Sequence, residues 1–135
     1  MYYSISIKLH AECNKDNIAK ILERGAQKGF RYYDEIGEIK TGSQELLDTK
    51  TIAQKIIDAH VTKPEYGPWV KTILEGDSSA FLGFRKTDDG FLEIDMGGIG
   101  CAKKKIYFID FDYYIRMCLD LCTDFQILEV RTTLD

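Results

Sequence analysis

The sequence predicts an α+β fold: a single-layer antiparallel or mixed sheet of about five to six strands, with three to four helices packed mainly on one face. Three observations carry this. Short segments rich in Tyr, Ile, Phe and Val alternate apolar and polar residues, the period of a half-buried strand. Between them lie stretches whose apolar residues recur at helical spacing. The strands are also grouped near the C-terminus instead of alternating strictly with helices, which favours antiparallel pairing over βαβ units. With 135 residues, the chain is expected to be one domain, 1–135. A domain of this size buries roughly two-thirds of its unfolded surface, so it needs no metal or disulfide to fold.

Residues 2–9 (YYSISIKL) place Tyr3, Ile5, Ile7 and Leu9 on one side and read as a strand. Asn14 or Asp16 is placed to cap a helix, because their side-chain oxygens accept from free amides of the first turn. In that helix Ile18, Ile21, Leu22, Gly25 and Ala26 share a face. Gly29 is positioned to end it in a left-handed conformation. Residues 30–39 (FRYYDEIGEI) read as a second strand, interrupted near Gly37. Residues 43–61 follow a helical pattern, with Leu46, Leu47, Ala53, Ile56, Ile57 and His60 on one face and a possible break at Asp48 or Thr49. Pro68 suits the first turn of a helix, and Trp69, Val70, Ile73 and Leu74 then read as its apolar face.

The C-terminal part is the clearest. Residues 80–86 and 91–96 flank Thr87-Asp88-Asp89-Gly90, and the Asp-Gly pair marks a hairpin. A glycine loop and three lysines, Lys103 to Lys105, lead to a strand at 106–109. Asp110 or Asp112 can cap the next helix, whose stripe is Phe111, Tyr114, Ile115, Cys118, Leu121, Cys122 and Phe125. Residues 126–134 (QILEVRTTL) alternate as a final strand.

The formal net charge of −4 is uneven: residues 1–72 carry 11 Lys/Arg against 10 Asp/Glu, and residues 73–135 carry 7 against 12. An acidic half argues against a nucleic-acid partner, since that affinity comes from positive charge. It is compatible with a basic protein partner or a bound cation. No apolar stretch is long enough for a membrane span. The N-terminus lacks a secretory pattern. The four cysteines form no Cys-x-x-Cys pair. A cytoplasmic protein with reduced thiols is expected. Cys118 and Cys122, one turn apart on the apolar stripe, read as core, and His10 and His60 as structural. No cofactor or metal is assigned.

Two functional readings follow. Tyrosines occur in adjacent pairs, and adjacent side chains cannot both face a core. Surface tyrosines beside acids suit a basic target. The candidate partner-binding residues are Tyr32, Tyr33, Asp34, Glu35, Asp110, Asp112 and Tyr113. They point to a non-catalytic protein-binding module of inhibitor or immunity type. The alternative starts from Met96-Gly97-Gly98 and, after eleven intervening residues, Asp110-Phe111-Asp112. Carboxylates two residues apart on a strand point the same way and can share a divalent cation. This stretch resembles the nucleotidyltransferase signature. The resemblance implies that Gly97 and Gly98 admit a triphosphate and that Asp110 and Asp112 hold magnesium, with Glu129 as a third carboxylate. The serine usual after the first glycine is missing.

Overall fold

The computed structural model describes residues 3–36, 39–40, 48–62, 69–74, 79–97, 104–105, 108–109 and 111–134. In chain order the elements are β1 (Tyr3–Glu12), α1 (Lys15–Gln27), β2 (Arg31–Ile36), β3 (Ile39–Lys40), α2 (Thr49–Thr62), β4 (Trp69–Ile73), β5 (Ser79–Lys86), β6 (Phe91–Gly97), β7 (Lys104–Lys105), β8 (Phe108–Ile109), α3 (Phe111–Leu121) and β9 (Ile127–Leu134). The α+β class is as expected, and the sheet is antiparallel throughout.

The sheet runs β3-β2-β4-β5-β6-β1-β9. Six of its strands have five residues or more, and β3 adds a two-residue piece at one end. β7 and β8 pair only with each other. The expected strand at 106–109 is thus reduced, among the described residues, to Phe108–Ile109 outside the main sheet.

Local chemistry explains most boundaries. Asn14 caps α1: its Oδ1 accepts from the Asn17 amide at 2.9 Å, an arrangement that stabilises a helix by about 1 kcal/mol. Gly29, at φ +96°, ends it. Gly25 is buried where α1 meets β2, and a Cβ there would run into the Tyr32 hydroxyl and the Phe30 ring. Asp48 caps α2, accepting from the Thr51 amide at 2.9 Å. The helical pattern expected from residue 43 therefore begins, within the described residues, at Thr49. Gly90, at φ +90°, closes the hairpin. Its amide donates to the Thr87 carbonyl at 2.9 Å, and the Thr87 amide donates to the Phe91 carbonyl at 2.8 Å.

One element overturns its expectation. Residues 69–73 form strand β4, not a helix, pairing with β2 and β5. Val70, Thr72 and Leu74 are buried, and Trp69, Lys71 and Ile73 lie between them. Over so short a run the same apolar residues satisfy both periods, and the β-branched Val, Thr and Ile favour the strand.

The core joins Ile5, Ile7 and Leu9 of β1, Leu92, Ile94 and Met96 of β6, and Leu82 and Phe84 of β5. To these it adds Ile18, Ile21 and Leu22 of α1, Ile52 and Ile56 of α2, and Tyr114, Cys118 and Leu121 of α3. Met117, also buried, was not part of the expected stripe. No helix among the described residues is long and apolar enough to cross a membrane.

Candidate functional site

Of the expected acid–tyrosine residues, the structure describes the side chains of Tyr32, Tyr33, Asp112 and Tyr113. Tyr32 points into the core at 3% exposure, and its hydroxyl donates to the Leu22 carbonyl at 2.7 Å. Burial pushes that hydroxyl's pKa up. Tyr32 therefore fixes α1 against β2 and is not available to a partner. Tyr33 points the other way, half-buried, with the Lys71 ammonium 5.9 Å from its ring centre. Tyr113 is half-buried on α3 and meets the Tyr114 ring edge-on at 5.1 Å. Asp34 and Glu35 lie on β2, but their side chains fall outside the described residues. Asp110 lies outside them as well.

Of the nucleotidyltransferase-like set, the structure describes the carboxylates of Asp112 and Glu129, and these lie on different sides of the sheet. Asp112 sits exposed in the first turn of α3, paired with Arg116 at 3.2 Å. That helix packs on the side of Met96, where Cys118 Sγ lies 3.7 Å from Met96 Sδ. Glu129 stands opposite Lys8, and Lys8 opposite Glu93, so Glu129 occupies the other side of the sheet. Gly97 ends β6, while Gly98 lies outside the described residues. Among the described residues no group of three His, Cys, Asp or Glu side chains is placed to hold a metal. Burial also raises the pKa of Cys118, and of Cys122 to about 12, so both thiols are held as core groups.

The face opposite the core carries a charged cluster that sequence reasoning missed. Glu93 is 3% exposed. Arg85 of β5 donates to one of its oxygens at 2.5 Å, and Arg131 of β9 to the other at 2.9 Å. A buried carboxylate needs such partners, since desolvating an unpaired charge is costly. Beside it, the Ser6 hydroxyl donates to Asp95, whose pKa is raised chiefly by burial. Trp69 and Phe81 meet edge-to-face at 4.5 Å further along. The hairpin at Gly90 fixes Arg85 opposite Glu93, so that pair had a local sequence signal. Arg131 had none, because its place depends on β9 docking beside β1.

The chain matches no known protein family, characterised protein or solved structure.

The feature that stands apart is β9. It lies at the end of the sheet and, among the described residues, is bonded to β1 alone. Its residues from Ile127 to Thr133 are all exposed. Among the described residues the large hydrophobic side chains left exposed are Ile127 at 37%, Leu128 at 42% and Val130 at 41%, all on this strand. Ile127 stands opposite Leu9 and Val130 opposite Ile7, so both belong to the core-side face. Leu128 is the extra residue of a bulge between them. An unpaired strand edge with apolar side chains is a template for another strand, and proteins blunt such edges with charges (lysine especially), proline, bulges or shortness. β9 is eight residues long with neither lysine nor proline, and its charges, Glu129 and Arg131, lie on the face opposite Ile127 and Val130, while a bulge falls at Leu128.

Proposed function

We propose that this chain is a non-catalytic protein-binding module, the class that contains inhibitors and immunity proteins, and that its binding surface is the β9 edge. The observation that carries this is the gathering of Ile127, Leu128 and Val130 on the strand that ends the sheet, paired among the described residues with β1 alone. Backbone groups along such an edge supply affinity, and the alternating side chains supply selectivity. The three helices are taken to cover the face of Ile7, Ile94 and Phe84 and to stop short of β9. The separation of Asp112 from Glu129 across the sheet supports the non-catalytic side of the proposal.

Photo-cross-linking in the native host tests it. A photoreactive side chain at Leu128 or Thr133 is expected to give protein adducts, and one at Gln54 on the exposed side of α2 is not. Equal yields at all three positions would remove β9 as the binding surface. Calorimetry with Mg²⁺ and ATP tests the other half. No heat is expected, and heat abolished by Asp112→Asn would overturn the non-catalytic assignment.

A further inference from the structure

We infer that the partner seated on the β9 edge is a second copy of this chain, paired strand to strand about a two-fold axis at Val130. The inference rests on the proposal that β9 is a protein-binding edge, and adds what occupies it. Its ground is the order of charges along the strand. Glu129 and Arg131 flank Val130 on the face opposite the core. In an antiparallel pair, residues directly opposite each other share a face of the sheet. Centring the two-fold on Val130 sets each Glu129 against the partner's Arg131 and each Arg131 against the partner's Glu129. Val130 meets its own copy, and each Leu128 meets Thr132. Opposite charges across a ladder stabilise it, and like charges directly opposed oppose it.

The same side chains are already organised within one chain. Arg131 is held by Glu93 at 2.9 Å and lies 3.5 Å from Glu129. Because β1 lies between β9 and β6, the Glu93 contact draws the guanidinium inward, and the partner's Glu129 shares an arginine that Glu93 has already ordered. The exposed apolar residues on the other face explain why the edge is worth covering. Two chains joined in this way continue one sheet across the axis, with both cores on the same side. A two-fold interface of this kind is self-complementary and closes at two copies.

Sedimentation equilibrium of the purified full chain is expected to show a monomer–dimer equilibrium that weakens as salt is raised. Glu129→Arg places arginine opposite arginine and should weaken association roughly tenfold or more. Arg131→Glu places glutamate opposite glutamate and should do the same. Mixing the two variants restores both cross-pairs, so the mixture should associate where neither variant does alone. Because Arg131→Glu also removes a partner of Glu93, a second test avoids it. Val130→Cys, at an exposed position, should yield a disulfide-linked dimer under mild oxidation, and Gln54→Cys should not. A chain that remains monomeric up to millimolar concentration, or Val130→Cys that does not cross-link, overturns the self-pairing. If in that case cross-links from Leu128 carry a different protein, the binding-edge proposal stands while the second-copy inference falls. If they carry nothing, both fall.

Discussion

β6 and β9 are the two neighbours of β1, and the same residues of β1, Ile5 to Leu9, face both of them. Ile7 stands opposite Ile94 on one side and Val130 on the other. Lys8 stands opposite Glu93 and Glu129, and Ser6 opposite Asp95 and Arg131. The sequences alternate alike, FLEIDM against ILEVRT. Yet Leu92, Ile94 and Met96 are at most 1% exposed, whereas Val130 is 41% exposed. Pairing with β1 thus makes a strand of either segment, but it does not make a core of both. Burial comes from what lies over the strand: β6 has β5 on its far side and α3 above Met96. An element held by one ladder and uncovered elsewhere is where binding surfaces are found.

Truncating the two residues opposite Ile7 gives the largest contrast. Ile94→Ala removes a fully packed side chain and should cost about 3 kcal/mol, within the range for buried large-to-small changes. Val130→Ala, in dilute monomeric protein, should stay under about 0.5 kcal/mol, as exposed substitutions do. Urea unfolding of both variants reads the difference directly. Equal losses would mean that β9 is covered as β6 is.

The acids opposite Lys8 give a smaller contrast. Glu93→Gln keeps the shape but weakens two charge-assisted hydrogen bonds, from Arg85 and Arg131. Bonds of that kind are worth about 2 kcal/mol when one partner is buried. Glu129 is exposed and meets Arg131 at 3.5 Å, so Glu129→Gln should cost only about 0.3 kcal/mol. The same unfolding measurement applies. A Glu129 variant as damaging as the Glu93 variant would show that the clamp extends to the outer strand.

The difference between the two strands also marks what was legible in the sequence. The hairpin at Gly90, the cap at Asn14 and the stop at Gly29 depend on residues a few positions apart, and their chemistry could be read directly. The strand alternation of β9 could be read as well. Its exposure could not, since covering depends on where α3 and β1 lie in space. The charged cluster was hidden for the same reason: Arg131 reaches Glu93 across 38 positions of chain. Trp69 to Leu74 went wrong because five or six residues are too few to separate a period of two from one of 3.6. Of the expected site, Tyr32 failed because adjacency indicates that one tyrosine of a pair faces inward without saying which.

The residues opposite Ser6 give the smallest effect, seen in pH dependence. Asp95 carries the pH dependence. Burial raises its folded pKa above the unfolded value, with the Ser6 hydroxyl partly opposing that shift. Between the unfolded and the raised folded pKa, the native state binds more protons than the unfolded chain. The sign follows: Asp95's contribution to stability is greatest below the unfolded carboxyl range and is lost as pH rises through its folded pKa. Asp95→Asn keeps an amide oxygen that can accept from Ser6 and removes the buried charge. It should raise stability slightly at neutral pH and abolish this part of the slope. Unfolding midpoints measured from pH 3 to 8, wild type against variant, should differ most at the upper end and converge at the lower. A difference that is constant across the range would mean that Asp95 acts through packing and not through its charge.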